Sequence, residues 1–252
     1  MIKESKEARI SDMENSIVFK GDGEPRTIES TYRQLANIDR SSVLSDTYSL
    51  GGSVEQLEQK FSETLGKESA IFMPTGTLAN HIAVRRLCGN KPKVIVQEQS
   101  HLYQDTGDCV SRLSSIMLIP LAPGRPYFTV DELSAYLDCS QDARVKSPIG
   151  AVILESPVRR QFGQIVPFDQ MQAISNLCKN RGLPIHLDGA RLYMMAAATG
   201  VSVKEYASLF DSVYVSLYKY FGAPFGAILV GTSEFTSDLY HERRMFGGSL
   251  YS

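Results

Sequence analysis

Apolar and polar positions along the chain alternate between two periods. Val54, Leu57, Phe61 and Leu65 recur at helical spacing, with Gly66 as a stop behind them. Ser69–Met73 is a short continuous apolar run and reads as a buried strand. Pro74–Thr77 is a turn, and Leu78–Leu87 reads as a helix that ends before Gly89. Val94–Val96, Ile149–Leu154, Pro184–Leu187, Ser212–Ser216 and Ala227–Val230 are further apolar runs of strand length. Between them, Phe168, Met171, Ile174 and Cys178 line one face of a helix, closed by Gly182 and Pro184. Apolar strands alternating with amphipathic helices predict an α/β fold, a three-layer α/β/α sandwich with a mostly parallel central sheet. Residues 1–20 are polar and read as a loose arm. Sheets of this kind bind ligands outside the carboxyl ends of their strands, so the residues after each run are the place to seek chemistry.

Composition narrows the classes. Of 252 residues, 43% are hydrophobic and the net charge is −2, which excludes a disordered chain. No basic excess exists to grip nucleic acid. No apolar stretch approaches ~18 residues, so no spanning helix is expected, and the first residues lack the apolar run of a signal peptide. Cys88, Cys109, Cys139 and Cys178 are widely spaced without a CxxC pair and read as buried free thiols; no metal site is expected. A cytoplasmic location is the default expectation.

Four strand ends carry polar groups. Thr75, Gly76 and Thr77 follow the first strand at a helix start, where free N–H groups, a hydroxyl and a small residue suit a phosphate. An ordinary turn with Thr as N-cap is the plainer alternative. His101 follows Val96 by a few residues and could stack on a ring or move a proton. His186 lies inside a strand and reads as structural. Asp188 ends the next strand, where a buried carboxylate needs a partner. Arg191 could be that partner; if a protonated ligand nitrogen takes the role instead, Arg191 is free for a ligand carboxylate. Lys219 stands among Tyr218, Tyr220 and Phe221, where a lysine has a lowered pKa and can act as a Schiff-base amine. A phosphate, a protonated ring nitrogen and an aldehyde together describe pyridoxal phosphate.

The segments YSLGGSVEQLE (48–58), FMPTGTLAN (72–80), QSH (99–101), HLDGARL (186–192), FDSVYVSLYK (210–219), GAPFGAILVG (222–231) and RRMFGGS (243–249) resemble the threonine aldolase and aromatic amino acid β-eliminating lyase family. These are fold-type-I enzymes that depend on pyridoxal 5'-phosphate. The resemblance implies Lys219 as the Schiff-base lysine and Asp188 as the partner of the ring nitrogen. It implies Arg191 as the ligand of the substrate carboxylate, Gly76 and Thr77 as holders of the phosphate, and Ser216 as a further phosphate ligand. His101 would stack on the ring and assist proton transfer. Arg159 would face the ring oxygen, and Tyr48 would be an active-site tyrosine reaching across a dimer. The implied reaction cleaves a β-hydroxy-α-amino acid, L-threonine or L-allo-threonine, to glycine and an aldehyde. A homodimer or homotetramer acting on small amino acids is expected, with neither nucleic acid nor membrane as partner.

The pattern has departures. Tyr218 stands where the family carries Ser before the lysine, Lys20–Gly23 lacks a serine, and Leu50–Ser53 replaces a loop with two acids. Residues 1–45 are expected to form an arm and entry segment, 46–248 the cofactor-binding large domain, and 249–252 the start of a C-terminal domain that is missing. The competing functions are another pyridoxal-phosphate reaction (β-elimination, racemisation or transamination) and a truncated, inactive family member. A nicotinamide-binding protein is disfavoured because no GxGxxG follows the first strand.

Overall fold

The computed structural model describes residues 22–23 and 27–251. The arm over residues 1–20, with Lys20, Gly21 and the final Ser252, lies outside the described residues. In chain order the helices and strands are α1 (Ile28–Ala36), α2 (Gly52–Leu65), β1 (Ser69–Met73), α3 (Gly76–Cys88), β2 (Lys93–Gln97), α4 (His101–Gln104), α5 (Cys109–Ser114), β3 (Met117–Leu121) and α6 (Val130–Asp142). They continue as β4 (Ile149–Glu155), α7 (Phe168–Asn180), β5 (Ile185–Asp188), α8 (Leu192–Thr199), α9 (Val203–Ser208), β6 (Ser212–Ser216), β7 (Ala227–Gly231), α10 (Ser233–Thr236) and α11 (Leu239–Met245).

The strands form one sheet in the order β1-β7-β6-β5-β4-β2-β3. Strand β7 pairs antiparallel with both β1 and β6, and the remaining neighbours pair in parallel. Each apolar run read from the sequence is one of these strands. Strand β3 was not among them: it lies at the sheet edge, is partly exposed and contains Pro120, so it lacks the continuous apolar signature.

Strand β4 shows why the fold has three layers. Val152 and Leu154 belong to one core cluster on one face, with Met171 and Ile174 of α7. Ala151 and Ile153 pack with Val84 and Val110 on the other. All four strand residues are buried, so helices must cover both faces. Helix α3 runs close over β4, because a Cβ at Gly150 would lie 2.7 Å from the Cys88 backbone. Cys88 and Cys178 are buried free thiols, whereas Cys109 is half-buried and Cys139 exposed, against the expectation that all would be buried.

The ladder between β2 and β4 stops at Ile95–Val152. Beyond it the Gln97 side chain takes over. Its amide donates to the Glu155 carbonyl at 2.8 Å, and its oxygen accepts the Glu155 N–H at 2.6 Å. Here β2 turns to β3 on one side and β4 to β5 on the other, which is the switch point where such sheets open a crevice. Among the described residues no helix is long and apolar enough to cross a membrane.

Candidate active site

Helix α3 begins at Gly76, two residues before the start read from the sequence. Thr75 is its N-cap, accepting the Leu78 N–H at 3.2 Å. The N–H groups of Gly76 and Thr77 have no carbonyl inside the helix to bond, and the helix dipole favours an anion there. A Cβ at Gly76 would fall 1.9 Å from the Tyr214 hydroxyl, so glycine is required for this approach. A cleft of roughly 400 Å³ opens at this helix start, with Thr77, His101, Tyr214, Tyr218, Lys219 and Phe225 on its walls. A second cleft of about 220 Å³ lies at the amino ends of the strands, beside Ile149 and Leu183, away from these groups.

Lys219 follows β6 in the cleft wall. Burial lowers its pKa, partly opposed by the Asp188 carboxylate, which raises the fraction of neutral amine. Ser216 ends β6, and its hydroxyl is buried without a hydrogen bond of normal geometry, the Tyr214 hydroxyl being its neighbour. His101 opens α4 behind the N-cap Ser100. Its Nε2 lies 3.5 Å from Thr77 Oγ1 and its Nδ1 lies 3.7 Å from Asp105.

Asp188 ends β5 at 2% exposure. It pairs with neither Arg191 nor Lys219. Asn80 Nδ2 donates to its Oδ2 at 2.6 Å and the Ala190 N–H to its Oδ1 at 3.2 Å. Arg191 instead forks onto Asp22, through Nε to Oδ1 and Nη2 to Oδ2. The plainer alternative, an Asp188–Arg191 pair, is therefore not what the fold builds.

The expected residues thus divide. Gly76, Thr77, His101 and Lys219 line one crevice, with Asp188, Arg191 and Ser216 behind its walls. Arg159 is half-exposed and its side chain donates to Asp105 at 2.7 Å, so its guanidinium meets the group through the carboxylate that also faces His101. Tyr48 stands apart, its ring 5.5 Å from that of Tyr251 and 5.0 Å from the Arg244 guanidinium.

Several contributors were not read from the sequence. Glu155 ends β4 and is buried; its carboxylate accepts the His101 N–H and, at 3.0 Å, the Arg159 N–H. Burial, reinforced by the neighbouring Asp188 charge, pushes Glu155 up to about 7. The strand-end rule that singled out Asp188 would have found it. Asn80 is one helical turn after Gly76, so the i, i+4 spacing was its available signal. Asp22 left no local signal, because its partner is 169 residues away.

An α/β/α sandwich with a lysine, a carboxylate and a helix start converging at its carboxyl-end crevice is the large-domain architecture of fold-type-I enzymes. The beta-eliminating lyase family model matches residues 40–252, and the chain belongs to that family. A low-specificity L-threonine aldolase of Candida albicans is 32% identical over 198 residues, 77% of this chain and 52% of that protein. An alanine racemase of Cochliobolus carbonum is 29% identical over 220 residues, 86% of this chain and 56% of that protein. The solved structure of a candidate L-allo-threonine aldolase from Listeria monocytogenes superimposes with a TM-score of 0.82 at 34% identity, over 92% of this chain and 62% of that one. The chain spans about half the length of the curated threonine aldolases it matches.

Proposed function

We propose that residues 46–248 form the cofactor-binding domain of a pyridoxal-phosphate-dependent lyase of the threonine aldolase type, acting on a β-hydroxy-α-amino acid. The observation that carries this reading is Lys219, a half-buried lysine of lowered pKa sharing one cleft with the Gly76–Thr77 helix start and His101. The residues present fit the cofactor. The unbonded Ser216 hydroxyl and the Gly76 and Thr77 N–H groups suit its phosphate. Lys219 offers an amine to its aldehyde, and Asp188, bonded only to uncharged groups, suits a protonated ring nitrogen.

When bound, pyridoxal phosphate supplies an electron sink for the bond broken at the substrate's Cα. Lys219 would hold the cofactor's aldehyde through Nζ, the less basic amine that its burial leaves. Arg191 holds the substrate carboxylate, with Asp22 fixing one edge of its guanidinium. His101 takes the β-hydroxyl proton at Nε2, and Asp105 steadies the imidazolium through Nδ1. Glu155 holds the His101 backbone in place for that transfer. Tyr48 serves a second subunit of a homodimer or homotetramer.

The purified chain with pyridoxal phosphate is expected to release glycine and acetaldehyde from L-threonine or L-allo-threonine. His101→Asn is expected to slow release by about 10²-fold or more. Absence of acetaldehyde from both isomers in a cofactor-loaded chain would contradict the lyase reading. Racemisation is the second reading, favoured by Tyr218 beside Lys219, whose Nζ lies 5.6 Å from the Tyr218 ring centre, and by the racemase relative. Loss of optical activity from L-alanine without aldehyde release would select it.

A further inference from the structure

Asp188 is held by a chain of buried polar side chains that runs away from the cleft. Behind Asn80, whose Nδ2 donates to Asp188, Asn80 Oδ1 lies 3.0 Å from His186 Nε2. His186 Nδ1 lies 2.8 Å from Ser212 Oγ. Asn80, His186 and Ser212 are each 0% exposed, and they come from α3, β5 and β6.

Hydrogen-bonding capacity gives this chain a direction. An ionised carboxylate only accepts, so Asn80 must turn its NH₂ group to Asp188 and its carbonyl to His186. That carbonyl also only accepts, so His186 must carry its proton on Nε2. Its Nδ1 is then bare and accepts from the Ser212 hydroxyl. Burial lowers His186 to about 4, so the ring stays neutral and the tautomer is kept. Each donor therefore points toward Asp188. Protonating Asp188 would not by itself turn the amide, because reversing it would put its NH₂ group against the His186 N–H.

We propose that Asn80, locked by His186 and Ser212, is a positioning residue that keeps the Asp188 carboxylate aimed at the cofactor's ring nitrogen. The proposal rests on the functional reading above. Glu155, Tyr214, Lys219 and His186 are the titratable groups acting on Asp188 from the elements around it. Glu155 repels a charge on Asp188, and both carboxyls are buried. The donor chain offers Asp188 an N–H and no acceptor, while burial and the Asp188 charge push the Glu155 carboxyl up.

Two readouts test this in the 252-residue chain. The first needs no cofactor. Nitrogen NMR of His186 is expected to show the Nε2–H form, unchanged between about pH 5 and 8. An Nδ1–H form, or titration in that range, would overturn the proposal. The second loads ring-labelled pyridoxal phosphate and follows protonation of its nitrogen by NMR. Asn80→Ser is expected to lower that nitrogen's midpoint by about one pH unit or more, the loss of one hydrogen bond to a charged group. His186→Phe is expected to do the same, and His186→Gln, which keeps a donor, to restore most of the midpoint. If Asn80→Ser fails to fold, the His186 pair decides. Equal midpoints in Phe, Gln and unmodified chains would overturn the proposal. If the unmodified chain binds no cofactor, the functional reading fails, and the His186 tautomer alone decides the relay.

Discussion

At the scale of single residues, two buried groups on the neighbouring strands β4 and β5 act on stability in opposite directions. Glu155 has its pKa raised from 4.5 to about 7, so the folded state binds more protons than the unfolded state between those values. Its contribution to stability falls as pH rises through that window. His186 is lowered from 6.5 to about 4, so the unfolded state binds more protons. Its contribution is present above 6.5 and lost as pH falls toward 4. Urea titrations across this range should therefore diverge. Relative to the unmodified chain, His186→Gln should show a more negative slope of stability with pH, and Glu155→Gln a more positive one. Parallel slopes in all the chains would contradict the assignment. The candidate site was legible in the sequence where a residue lies at or a few positions past the end of an apolar run, as Gly76, His101, Asp188 and Lys219 do. Asn80 and Asp22 matter through partners 108 and 169 residues away, a relation no local pattern carries.

At the scale of elements, buried strands were legible because burial on both faces writes an unbroken apolar run. The same property hid strand direction. Ala227–Gly231 reads like any parallel strand, yet β7 runs against both of its neighbours. Helix α1 was also missed: none of its residues is buried, so no face had to be apolar for packing within this chain. Centre and edge of the sheet should differ in energy accordingly. Leu154→Ala, at 0% exposure in β4, should cost about 2–5 kcal/mol in urea denaturation. Met117→Ala, at 57% exposure in β3, should change stability by about 0.5 kcal/mol or less. Similar losses at both positions would contradict the placement of β3 at the edge.

At the scale of the whole molecule, the entry segment displays apolar side chains to solvent. Ile28 is 93% exposed, and Tyr32, Leu35, Val43, Leu44 and Leu50 are exposed with it. Large apolar side chains exposed together within about 25 residues of chain are the raw material of an interaction surface. We expect a second copy to cover it, bringing Tyr48 against another subunit's cleft. Light scattering should give the mass of a dimer or tetramer, and Tyr32→Glu with Leu35→Glu should reduce it; a monomer in both would contradict this assembly. The central claim, that the chain as a whole builds a seat for pyridoxal phosphate on Lys219, has a more direct test. The chain is mixed with pyridoxal phosphate, reduced with borohydride, digested, and the modified peptide identified by mass spectrometry. The account predicts one pyridoxylated residue, Lys219, and no specific labelling of a folded Lys219→Ala chain. Labelling at another lysine, undiminished in that variant, would contradict it.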